Sequence, residues 1–181
     1  MQPGTIDARA LLACIEDAAL AAAELIRTRA RDRAHITWRE KSATDFVSDV
    51  DTGAERIIRD ALLGAYPGSF ILGEELSPDV AAGAPLEFIV DPLDGTTNFA
   101  HGFPVFCVSM ALEHKGQRIA GVIYDPTRDE MFTAAKGSGA CLNGEVMKIS
   151  QTNTLAESLV ATGFPSHKRH KNPNIHFYHQ I

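Results

Sequence analysis

The sequence predicts an α+β layered fold, with helices packed on a mostly antiparallel sheet. Two amphipathic helical stretches come first, and a run of short apolar segments separated by turn residues follows. Helices are thus grouped apart from strands, whereas a doubly wound parallel sheet would alternate them. The 181 residues, 45% apolar and 22% charged, have the length and balance of one globular domain able to bury a sizeable core.

The first helix is predicted from about Asp7 to Ala30. Leu11, Leu12, Ile15, Ala19, Ala22, Leu25 and Ile26 recur at three- and four-residue spacing, with Glu16, Arg27 and Arg31 on the polar face. Glu16, Asp17 and Glu24 break the stretch from Leu11 to Ile26, which a bilayer centre would penalise heavily. Asp7, with no basic start leading into an apolar run, argues against a secretion signal. A charged connection from Arg31 to Lys41 leads to the acid-rich segment Thr44 to Asp51. Ala54, Ile57, Ile58, Ala61 and Leu62 then mark a second helix ending near Gly64, stopped by Pro67-Gly68.

Phe70 to Gly73 and Leu86 to Asp91 read as short buried strands that end in carboxylates, separated by an Ala/Gly/Pro loop over Ser77 to Pro85. Beyond Pro104, Val105 to Glu113, a Lys115-Gly116 turn, Arg118 to Tyr124, an Asp125-Pro126 break and Glu130 to Ala135 describe an antiparallel meander. The pattern fades from Asn153, and Lys168 to Pro173 is polar.

The formal charge of −6, without a long Lys/Arg stripe, argues against a nucleic-acid footprint. An acidic protein still reaches phosphate through metal ions. Cys14, Cys107 and Cys141 are odd in number, far apart and in apolar surroundings, which fits buried free thiols in a reducing compartment, the cytosol by default.

The strongest local signal is Asp91-Pro92-Leu93-Asp94-Gly95-Thr96-Thr97-Asn98. A buried strand delivers one acid, a proline turn a second, and a glycine frees the backbone. Crowded carboxylates require a compensating cation, and an all-oxygen set favours Mg²⁺, Mn²⁺ or Ca²⁺ over zinc. Gly95-Thr96-Thr97 is able to open a helical turn whose N–H groups point at an anion. Glu74-Glu75 and the trio Asp45, Asp49 and Asp51 supply further acids. Each also has an ordinary explanation: Ser48 and Asp51 have capping-box spacing, Glu74-Glu75 suits a solvated loop, and Asp-Pro and Asp-Gly are common turns.

Asp91 to Phe99, preceded by Gly73-Glu74-Glu75, resembles the central motif of the inositol monophosphatase family. The resemblance runs from about Lys41 to Gly163 and includes Asp45 to Asp51, Phe103-Pro104, Gly121 to Tyr124 and Ala134 to Ala140. It implies an α+β layered sandwich and a hydrolase that removes phosphate from myo-inositol monophosphates or related small phosphomonoesters by metal-activated water. Mg²⁺ is the implied cofactor, as two or three ions, with lithium as an inhibitor. By the same resemblance Glu74, Asp91 and the Leu93 carbonyl would hold a first metal, and Asp91 and Asp94 a second. Leu93, Asp94, Gly95 and Thr96 would line the substrate site, with Gly95 and Thr96 offering amides to the phosphate. The Thr96 hydroxyl, bonded to Asp51, would orient the attacking water with Glu74. Lys41 resembles a loop residue near a third, weaker metal site, and homodimerisation is a family expectation.

Family members normally continue for roughly another domain-half, where a Trp-Asp segment supplies one more aspartate to the second metal. The only tryptophan here is Trp38, followed by Arg39. The chain is therefore expected to be the N-terminal portion of a single such domain, without the half bearing that motif, and to bind Mg²⁺ weakly and turn over slowly by itself. Two alternatives compete: a phosphatase for another ester (a sugar bisphosphate, a phosphoadenosine nucleotide or histidinol phosphate) and a catalytically silent binding module. His167, His170, His176 and His179 lie three residues apart in pairs but lack an accompanying acid or thiol, so a solvated or contact tail is expected. His101, between Phe99 and Phe103, is expected to be packed, with no catalytic duty. Cys107, Cys141 and Ser109 have no adjacent base to activate them.

Overall fold

Residues 8–42, 45–76 and 84–161 are described by a computed structural model, without the side chains of residues 40–47. The start of the first helix at Asp7, most of the Ser77 to Pro85 loop and the histidines from His167 onward lie outside the described residues.

Helix α1 (Ala8–Arg31) buries Leu11, Ile15, Ala18, Ala19, Ala22, Ala23 and Ile26, a stripe in which the alanines permit close approach to a neighbouring helix. That neighbour is α2 (Asp49–Ala65), which buries Val50, Ala54, Ile58 and Leu62. Arg27, on the predicted polar face, reaches back to the sheet and donates to the Tyr124 hydroxyl at 2.9 Å.

Between the helices, in and after the charged connection, the structure contains a hairpin that the sequence pattern did not reveal. After a short 3₁₀ turn at Arg33–His35, β1 (Trp38–Ser42) and β2 (Asp45–Ser48) pair as an antiparallel hairpin. Its anchor is tertiary: the Trp38 ring tilts against Phe99, about 60 residues on, with 6.1 Å between centroids. The second helix also starts at Asp49, ahead of its apolar stripe. Ser48 Oγ accepts from the Val50 and Asp51 amides at 3.1 and 3.4 Å, and the Ser48 amide donates to Asp51 Oδ2 at 2.9 Å. This reciprocal cap is worth about 1 kcal/mol.

The sheet runs in the order β3 (Phe70–Gly73), β4 (Leu86–Asp94), β5 (Cys107–His114), β6 (Gln117–Asp125), β7 (Glu130–Ala135), β8 (Gly139–Leu142) and β9 (Glu145–Val146). Only β3 and β4 pair in parallel; every later pairing is antiparallel. Lys115 and Gly116 turn β5 into β6 with φ of 50° and 74°, the left-handed pair that matches strand twist in a two-residue hairpin. The meander extends through β8 and β9, which the sequence pattern did not reveal.

Phe88, Val90, Val108, Met110, Leu112, Ala120, Val122 and Tyr124 form the face buried under the helices, each at most 7% exposed. Burying a large apolar side chain of this kind stabilises the fold by about 1.5–3 kcal/mol. Both long helices lie against this single sheet face, so the architecture is that of an α+β layered sandwich. No described helix is long and apolar enough to cross a membrane.

Candidate active site

The parallel pairing of β3 with β4 brings their C-terminal ends together, with Gly73 opposite Val90. Glu74 therefore leaves one strand beside the point where Asp91 sits on the next. On the other side of β4 the register slips: Asp91 faces Ser109 and Asp94 faces Cys107, so three steps on β4 match two on β5. The extra residue is a bulge, a device that re-aims side chains at a sheet's rim. Leu93 is buried, its amide donates to Asp91 Oδ1 at 3.2 Å, and Asp94 is left exposed.

Gly95 follows with φ 96°, and an added Cβ would stand 2.9 Å from the Val105 carbonyl oxygen. Only glycine suits both demands. Helix α3 (Thr96–His101) begins at once, with no side-chain cap at its first turn. The Asn98 amide group donates to the Val105 carbonyl at 2.7 Å and holds the following loop.

Thr96 joins this strand-turn-helix unit to α2. Its Oγ1 lies 2.9 Å from Asp51 Oδ1 and 3.0 Å from the Leu93 carbonyl, so the single hydroxyl proton has two acceptors. Asp51 is 1% exposed and bonded through its other oxygen to the Ser48 amide and hydroxyl. Burial raises the Asp51 carboxyl above its ordinary value, against the lowering effect of the Ser48 and Thr96 bonds. Asp51 is both the helix cap foreseen as its ordinary role and the partner of Thr96.

Electrostatically the site centres on Asp91. Burial, then the charges of Glu74 and Asp94, push its carboxyl up to about 8, and Glu74 shares a hydrogen bond with it. Among the described residues no three His, Cys, Asp or Glu side chains already stand in a geometry that grips an ion. The two observations differ in kind: the carboxylates interact through Asp91 but are not closed around a centre. Without a cation, a proton on Asp91 relieves the repulsion. With their carboxylate and carbonyl oxygens, Glu74, Asp91, Asp94 and Leu93 are the donors available to a hard cation.

Glu74, Asp91, Leu93, Asp94, Gly95, Thr96 and Asp51 thus gather at one rim of the sheet. The Lys41 and Asp45 side chains lie outside the described residues. His101 is exposed at the end of α3, not packed between the phenylalanines as expected, because Phe99 turns inward to meet Phe106 edge-on at 5.2 Å. The three cysteines are free but half-buried, less enclosed than expected. Burial, then Asp94, Asp91 and Asp125, push the Cys107 thiol up to about 12, so it is no nucleophile. Sequence reasoning passed over Glu55, which is fully buried below the site. Its signal was an acid on the stripe of Ala54, Ile58 and Leu62.

Residues 7–181 match the sequence description of the inositol monophosphatase family. The chain is 45% identical over 150 residues to a protein of Pseudomonas aeruginosa named Nus factor SuhB, covering 82% of this chain and 55% of that one. It is 42% identical over 125 residues to a Rhizobium meliloti protein named inositol-1-monophosphatase, covering 69% and 47%. The structure of inositol monophosphatase from Anabaena superposes with a TM-score of 0.78 at 33% identity, over 94% of this chain and 62% of that one. The chain spans about half the length of the curated relatives it matches.

Proposed function

Because the chain belongs to the inositol monophosphatase family, we propose that it serves hydrolysis of a small phosphomonoester, myo-inositol monophosphate or a related ester, with a divalent cation. The observation that carries this is the coupling of Glu74 and Asp94 to Asp91 beside a Thr96 hydroxyl bonded to Asp51. A purely structural rim has no use for three converging acids, whose mutual repulsion only costs stability.

Glu74, Asp91, Asp94 and the Leu93 carbonyl would hold the cation, and Mg²⁺ suits an all-oxygen set next to a phosphate. When bound, such an ion supplies Lewis-acid charge that offsets negative charge developing on the phosphate and acidifies a neighbouring water. Thr96 donates its proton to Asp51, which leaves the hydroxyl oxygen as an acceptor that orients a water proton. Glu74 is the second acceptor beside that position, and Asp51 is the proton's further destination. The Gly95 and Thr96 amides open α3 and would face phosphate oxygens. Direct attack by water needs no covalent enzyme intermediate, and the Cys107 thiol, pushed up to about 12, is not activated to form one.

The test is release of inorganic phosphate from myo-inositol monophosphate by the full chain, titrated with Mg²⁺ and then with chelator, beside a sugar bisphosphate, a phosphoadenosine nucleotide and histidinol phosphate. Release that rises with Mg²⁺ and stops with chelator is expected. A strong preference for another ester would replace the substrate, and release indifferent to both additions would end the proposal.

A second reading is favoured by the 45% identity to a protein named Nus factor SuhB: the role stated in that name, alongside catalysis or in place of it. The acidic balance of the chain points such a role toward protein partners. An Asp91→Asn variant that keeps the cellular role while losing phosphate release would favour it.

A further inference from the structure

We propose that Glu55 is a positioning residue that holds Glu74 against Asp91, an inference that rests on the phosphomonoesterase reading above. Glu55 is 0% exposed on α2, among Ala54, Ile58 and Leu62. A carboxylate in such a place is costly unless its oxygens are bonded, and an apolar residue of similar size would fill the space with less penalty. Its oxygens are bonded, and the partners are specific. Oε2 accepts from the Glu75 amide at 2.7 Å and Oε1 from the Leu76 amide at 3.1 Å, while Arg59 stands 3.9 Å from Oε1.

These amides belong to the two residues after Glu74. On its other side Gly73 is fixed by the ladder, opposite Val90 and one residue short of Asp91. Glu74 is therefore the single residue between two anchored points, and its carboxylate meets Asp91 as a consequence. Gly73 carries the same message. A Cβ there would lie 1.9 Å from Glu55 Oε1, so β3 must end in glycine for the carboxylate to pass beneath it and reach the amides. Glu55 acts through Glu74 and needs no contact with the substrate.

Glu55→Gln tests this, because the amide keeps the size but sets an NH₂ group against one of the two backbone donors. In metal-free protein, hydrogen exchange of the Glu75 and Leu76 amides should accelerate at least about tenfold, since both lose a charge-assisted acceptor. The Mg²⁺ midpoint, read by calorimetry and by phosphate release, should rise about 10-fold or more, the size of effect seen when support for a metal ligand is removed. Substrate KM at saturating Mg²⁺ should stay within about twofold, because Glu55 lies off the phosphate-facing amides. Leu62→Ala, also in α2, is the control for general destabilisation and should leave the Mg²⁺ midpoint in place.

If Glu55→Gln fails to fold, Gly73→Ala replaces it, driving the unaltered carboxylate off the same amides with the same expected shifts. An unmoved midpoint, or an equal shift in Leu62→Ala, overturns the proposal. Should the wild type bind Mg²⁺ but release no phosphate, the phosphatase reading fails while the exchange and calorimetric results still decide the role of Glu55. Absence of Mg²⁺ binding by the wild type overturns both.

Discussion

Replacing Asp91 by Asn should make the metal-free protein more stable at neutral and alkaline pH, although it removes a central residue of the site. The Asp91 carboxyl is raised from 3.8 to about 8 by burial and by Glu74 and Asp94. The folded protein thus binds a proton that the unfolded chain releases, so the contribution of Asp91 to stability is fully present below about pH 4 and is lost as pH climbs through the folded value of about 8. At pH 7 the part of this shift already traversed would amount to about 4 kcal/mol at roughly 1.4 kcal/mol per pH step. Asp91 is only half-buried, and solvent screening reduces this to about 2 kcal/mol. Asn carries no such slope. Urea unfolding in chelator should therefore show a gap between variant and wild type that is small at pH 5 and grows to about 2 kcal/mol by pH 8, or some 4–8 °C in Tm for a chain of this size. Saturating Mg²⁺ should reverse the order, stabilising only the wild type. Parallel pH profiles for the two proteins would overturn this expectation, because they would mean that Asp91 feels no unfavourable neighbours.

The other expectations concern parts that support the site. Thr96→Val should lower phosphate release about 100-fold or more with the fold intact, while Thr96→Ser retains most of it, since only the hydroxyl between Asp51 and Leu93 matters. Gly95→Ala, at φ 96° and with a Cβ 2.9 Å from the Val105 oxygen, should cost about 1–3 kcal/mol in thermal or urea unfolding and reduce turnover with it. Burial tends to raise the Asp125 carboxyl, but bonds from Thr127 and Arg128 prevail and hold it below 3.8. Its stabilising effect is thus present above about pH 4 and fades as pH falls through the folded value. Asp125→Ala should cost about 1–3 kcal/mol at pH 7, and the gap should narrow in acid. Phe88→Ala, which empties a fully buried position on β4 packed against Tyr66, should cost about 3–5 kcal/mol in urea.

The residues differ in how plainly the sequence announced them. Asp91 to Thr96 could be read because a strand, a proline turn and a glycine succeed one another locally, and local order survives folding. The α1 stripe and the Lys115-Gly116 turn were legible for the same reason. Asp51 was read as a cap on spacing alone, and the cap is there; its bond to Thr96, 45 residues away, carries no local trace. The local sequence around Glu74 suits a solvated loop, and only the family resemblance gives it a metal-binding role, because its neighbour Asp91 arrives through a parallel strand pairing. The β1–β2 hairpin was missed since its anchor, the Trp38–Phe99 contact, joins distant segments. Glu55 stood out only as a misplaced charge, and which amides it serves depends on where β3 ends.

Asp91 carries more proton in the metal-free site than a free carboxyl does, and a divalent ion held with Glu74 and Asp94 should displace it. Calorimetric titration of Mg²⁺ at pH 7, in buffers of different ionisation enthalpy, counts the protons released on binding. Mg²⁺ binding should release a measurable fraction of a proton in the wild type, because burial, Glu74 and Asp94 raise the Asp91 carboxyl, and none in Asp91→Asn. Binding without proton release, or equal behaviour of the two proteins, would contradict it.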